Sequence, residues 1–113
     1  MLTIYHNPRC SKSRQTLALI EEAEAPHTVV LYLETPPPVG VIKAALKAFG
    51  RDAALRKEED AYKEHVKGRK LTDDELASIV MQHPIILERP LVVSEKGEMI
   101  LGRPPENVMK LIG

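Results

Sequence analysis

Hydrophobic and polar positions along this chain switch between a period of two and a period near 3.6. Leu2–Tyr5 (LTIY) opens it as a short β-rich run. His27–Leu33 (HTVVLYL) gives a second strand, bounded by Ala25-Pro26 before it and by Glu34-Thr35 and three prolines after it. Between them, Ser13–Ala23 (SRQTLALIEEA) sets Leu17 and Ile20 three apart among helix formers, which predicts one helix face. Pro36-Pro37-Pro38 breaks regular structure, and a helix follows from about Val39 to Phe49, stopped by Gly50. Ala53–Val66 (AALRKEEDAYKEHV) predicts one or two short, charged helices. The best-marked helix begins at Thr72. That residue and Glu75 form a capping box, Asp73 and Asp74 add negative charge at the positive dipole end, and Pro84 closes it. Leu91–Ser94 and Glu98–Leu101 predict two strands joined at Lys96-Gly97. The remaining GRPPENVMKLIG is a turn and a short last helix.

Strand, helix and strand in that order predict a parallel, right-handed βαβ unit. With the closing β-β-α, the order is that of an α/β, thioredoxin-like fold: a four-stranded mixed sheet with helices on its faces. The helical block, about 39–83, is then an insertion between the two halves of a single domain over 1–113.

Composition narrows the function. At 113 residues and 43% apolar content the chain can bury an ordinary core. The formal net charge is zero, so there is no electrostatic footprint for nucleic acid or an anionic membrane. There is no Trp and one Phe, which argues against a base-stacking surface. No apolar run approaches the roughly 20 residues of a membrane span. MLTIYHNP carries neither a basic n-region nor a long apolar stretch, so no signal peptide is expected. A single cysteine forms no internal disulfide, and a cytoplasmic location is the natural expectation. One Cys and four scattered His give no ligand spacing for a metal.

That cysteine, Cys10, lies in YHNPRCSKSR between the first strand and the first helix, among His6, Arg9, Lys12 and Arg14. A thiol at a helix start meets unpaired N–H groups and the positive dipole end, and both favour thiolate. Nearby cations act in the same sense. The Ser11 and Ser13 hydroxyls are placed either to donate to the sulfur or to cap the helix. A buried structural cysteine normally sits in an apolar stripe, and this segment is polar. The spacing is Cys-x-x-Ser, so a mixed disulfide or other adduct on Cys10 has no second thiol to resolve it. Turnover needs an external thiol, such as glutathione or a dithiol protein.

These residues resemble the glutaredoxin-coupled arsenate reductases and their relatives, the ArsC/Spx-type family, in a short single-cysteine branch. IYHNPRCSKSRQTL is similar to the family's catalytic segment and VVLYLETPP to its second strand. ALRKEEDAYKE is similar to its first arginine segment, QHPIILERPLVV to the approach to its third strand, and LGRPPE to its last arginine loop. The resemblance implies Cys10 as nucleophile and His6 as the histidine that lowers its pKa. It implies Arg56, Arg89 and Arg103 as the oxyanion-binding arginines, and Pro90 as a structural cis-proline. Arg14, one turn past Cys10, either joins Ser13 in holding the anion or pairs with glutamates of its helix. Planar guanidinium forks suit a tetrahedral oxyanion better than lysines do. The implied activity is reduction of arsenate, or a similar oxyanion, to arsenite through an arseno-cysteine. Glutathione is the co-substrate, glutaredoxin the partner, and no cofactor is bound. Ser11-Lys12 depart from the small neutral residues of the resistance enzymes. Two other functions fit the same residues. One is a thiol-dependent or glutathione-dependent enzyme acting on another substrate. The other is a non-catalytic, Spx-like regulator that binds RNA polymerase, although those proteins commonly carry a Cys-x-x-Cys switch.

Overall fold

The computed structural model describes residues 1–112; Gly113, the last residue of the predicted domain, lies outside the described residues. The chain separates into two compact units, Met1–Thr35 with Arg89–Gly113, and Pro36–Glu88.

The first unit holds a four-stranded sheet. Its strands are β1 (Leu2–His6), β2 (His27–Leu31), β3 (Leu91–Val93) and β4 (Met99–Leu101), in the order β2-β1-β3-β4. β1 and β2 are parallel, with Leu2 opposite His27 and His6 opposite Leu31. β3 runs antiparallel to both β1 and β4. The arrangement is the expected thioredoxin-like one. Alternation sends Leu2 and Ile4 of β1 to the face where Val92 and Ile100 also lie, and Ile20 and Val108 close the cluster.

Helix α1 (Ser11–Glu22) crosses between β1 and β2. It starts two residues before the apolar pattern does. Its buried face reads Ser13, Thr16 and Ile20, so two of the three inward positions are polar and invisible to a hydrophobic period. The far end closes as a Schellman motif. Glu24 takes φ 55°, its N–H reaches Glu21, and Ala25 N–H reaches Ile20. β2 ends at Leu31, short of the predicted Leu33, because the Leu31 carbonyl accepts the turn N–H groups of Glu34 and Thr35. The unit finishes with a 3-10 turn (Pro105–Val108) and helix α6 (Met109–Ile112).

The second unit is helical. Helix α2 (Val39–Phe49) stops at Gly50, whose φ of 80° favours glycine. Short helices α3 (Arg51–Ala54) and α4 (Asp60–His65) follow, then α5 (Asp73–Gln82) and a 3-10 turn at Pro84–Ile86. The capping box is present in full. Thr72 accepts from Glu75 N–H, and Glu75 accepts from Thr72 N–H. Ile42, Ala45 and Leu46 of α2 and Leu76, Ala77 and Val80 of α5 form the buried faces. Among the described residues no helix is long and apolar enough to cross a membrane.

Candidate active site

Strand register gathers the site. Tyr5 of β1 pairs with Leu91 of β3, and Leu91 pairs with Leu101 of β4. The loop after β1, the Arg89-Pro90 entry to β3 and the Gly102-Arg103 exit of β4 therefore meet at one end of the sheet. Segments about 80 and 90 residues apart in sequence become neighbours through two antiparallel pairings.

Asn7 stitches the first loop. Its side-chain oxygen accepts Arg9 N–H (3.0 Å), and its carbonyl accepts Cys10 N–H (3.0 Å). That turn leaves Cys10 in extended conformation as the N-cap of α1, and Arg14 N–H makes the first helical bond to the Cys10 carbonyl. The N–H groups of the first turn then have no helical carbonyl to meet. Those of Ser13 and Lys12 donate to the sulfur.

Four groups therefore oppose the burial of this half-buried thiol. Burial pushes its pKa up. The Ser13 N–H, the Arg89 guanidinium, the Lys12 N–H and the Arg103 charge together outweigh it, and the pKa falls below the ordinary thiol value. Arg103 Nη2 stands 3.6 Å from the sulfur. Its Nε donates to the Arg89 carbonyl at 3.0 Å, which ties the two arginine segments together. Asn107 braces the same loop by donating to the carbonyls of Leu101 (3.1 Å) and Arg103 (3.2 Å).

Both Arg89-Pro90 and Arg103-Pro104 are cis peptides. Gly102, between them in space, donates to the Pro90 carbonyl at 2.9 Å. A Cβ there would lie 2.6 Å from Pro90 Cγ and closer still to Thr16 Oγ1, so only glycine lets β4 leave this close to α1.

His6 contacts Ser13 rather than the sulfur. Its Nδ1 is 2.6 Å from Ser13 Oγ, and the same oxygen accepts Asn7 N–H at 3.0 Å. Burial first, then the Arg14 charge, lower the His6 pKa; Glu21 works the other way, and the imidazole is neutral at neutral pH. Ser13 is fully buried, so its hydroxyl faces His6 and Asn7 while its backbone faces the sulfur. Arg14 Nη1 donates to the Pro8 carbonyl at 2.8 Å.

Of the predicted residues, Cys10, His6, Ser13, Arg14, Arg89, Pro90 and Arg103 belong to the first unit. Arg56 belongs to the second. There its N–H donates to Ile86, and its guanidinium meets Glu59 (3.2 Å) and Glu88 (3.0 Å). Burial opposes its charge, but Glu88 and then Glu59 hold it ionised. Sequence reasoning did not single out Asn7, Gly102 or Asn107. The signals were modest: Asn before Pro8, a glycine just before Arg103-Pro104-Pro105 and an asparagine two residues after it.

The chain was also compared with known proteins. The ArsC family model matches residues 5–111. YfgD, an uncharacterised protein of Escherichia coli (strain K12), is 43% identical over 97% of this chain and 95% of its own length. An arsenate reductase of Escherichia coli is 40% identical over 98% of this chain and 80% of its own. The solved structure of an arsenate reductase from Vibrio cholerae is 43% identical, covers 96% of this chain and 95% of its own, and superposes with a TM-score of 0.84.

Proposed function

The chain belongs to the ArsC family, and on that premise we propose that it reduces arsenate to arsenite, with Cys10 as nucleophile. The observation that carries this reading is the surround of the sulfur. Two backbone N–H groups and two guanidinium groups favour its charged form. The same arginines suit a tetrahedral anion brought up to that thiolate, since their forks match its oxygens and screen its charge.

In the proposed cycle Cys10 attacks arsenic, and one arsenic-bound oxygen leaves as water. Glutathione adds in the same way, releasing a second water. A glutaredoxin thiolate then attacks the glutathione sulfur, and the sulfur–arsenic electron pair stays on arsenic, which becomes arsenic(III). Hydrolysis of the Cys10–arsenic bond consumes one water and frees arsenite and the thiol. The sum is arsenate plus two thiols giving arsenite, one disulfide and one water. Neutral His6 acts here by holding Ser13, and so the helix start, in place. Arg89 and Arg103 hold the oxyanion, and Arg14, one turn past Cys10, joins them; Arg56 enters through family resemblance.

Arsenate reduction in the presence of glutathione and glutaredoxin tests the proposal. Cys10→Ser is expected to abolish turnover. Equal rates for the variant and the wild type would end it.

A further inference from the structure

We propose that the groove beside the Cys10 loop is a glutathione subsite, gripping the tripeptide by Arg9 and Glu34. This deepens the reading above and rests on it for the identity of the thiol donor. The groove, about 300 Å³, is lined by His6, Asn7, Pro8, Arg9, Leu31, Leu33 and Glu34. Its position is fixed by two features already described. Arg9 precedes the nucleophile in the chain, and the turn that ends β2 at Leu31 brings Leu33 and Glu34 to the same rim.

The lining has the chemistry of glutathione. Leu31 closes β2 and Leu33 lies in the turn after it; both are large apolar side chains, 40% and 43% exposed, and an uncovered pair has a solvation cost. Arg9 and Glu34 stand at the same groove with opposite charges, and neither side chain has an ion-pair partner among the described residues. The γ-glutamyl end of glutathione carries a carboxylate and an ammonium on one carbon. Arg9 matches the first and Glu34 the second, while the leucines and Pro8 cover its methylenes. One cation alone would select any anion. A cation and an anion together select a zwitterion, and the cysteinyl sulfur is one residue further along the tripeptide.

The assay uses no arsenate. Cys10 thiolate attacks glutathione disulfide, one Cys10–glutathione disulfide forms, and one glutathione thiolate leaves. The rate constant is divided by that for bis(2-hydroxyethyl) disulfide, an uncharged reagent that reports intrinsic thiolate reactivity. Arg9→Ala and Glu34→Gln are each expected to lower this ratio about two- to fivefold, the size of one exposed ion pair. Glu34→Gln is the decisive arm. Simple attraction of a polyanion to a cationic loop predicts that removing a carboxylate raises the ratio; the subsite predicts a fall. A rise, or no change, overturns the subsite. So does a variant that slows only the glutaredoxin step, which would make the groove a protein-docking surface. Loss of the ratio effect with intact arsenate reduction refutes the subsite alone. The ratio effect without arsenate reduction refutes the arsenate reading alone.

Discussion

Ser13 serves the site through two different parts of itself. Its backbone N–H donates to the Cys10 sulfur, and its hydroxyl holds the His6 ring and the Asn7 N–H inside the fold. Ser13→Ala removes only the second role. It strands two buried polar groups, and the expected loss is about 1–3 kcal/mol in urea unfolding. The Cys10 titration should stay close to wild type, because the N–H remains. A large rise in the Cys10 pKa in this variant would mean that the hydroxyl acts on the sulfur. The sequence pointed to Ser13 through its closeness to Cys10, and left open whether it caps the helix or meets the sulfur. That choice depends on which way residue 13 faces, and α1 turns it inward.

At the scale of elements, legibility followed local chemistry. Helix α5 was plain because Thr72, Asp73, Asp74 and Glu75 write a capping box and a dipole match within four residues. Thr72→Ala should cost about 1 kcal/mol, with a range of about 0.5–2, as measured by the urea midpoint. A change below a few tenths would show that neighbouring contacts hold the helix start instead. The start of α1 was less plain. Ser11 and Lys12 are exposed and polar, and the buried Thr16 and Ser13 carry no hydrophobic signal. The end of β2 was overread for the opposite reason. Tyr32 and Leu33 prolong a β-like run that two turn hydrogen bonds at Leu31 have already ended.

For the whole molecule, the sequence carried the order of elements, and with it the mixed sheet. It pointed to Cys10 as the candidate nucleophile too, since a lone cysteine in a charged helix-start segment is chemically conspicuous. It did not carry the meeting of Cys10 with Arg89 and Arg103 except through family resemblance, because that meeting is made by register: Tyr5 on Leu91, and Leu91 on Leu101. Asn107 and Gly102, which brace and admit Arg103, depend on the same register. The site then joins two consequences of one arrangement. The guanidinium groups that lower the thiol pKa are, in the proposed function, the ones that hold the oxyanion.

That identity is open to one direct measurement: the alkylation rate of Cys10 against pH, with and without arsenate. Because the folded pKa is depressed, the thiolate should persist below the ordinary thiol range. Its stabilising contribution is complete above the unfolded pKa and is lost as pH falls through the folded one. The rate should therefore rise with an apparent pKa below that of an ordinary cysteine thiol. Arsenate should protect the thiol where it is ionised. An ordinary thiol titration that arsenate leaves unprotected would contradict the account.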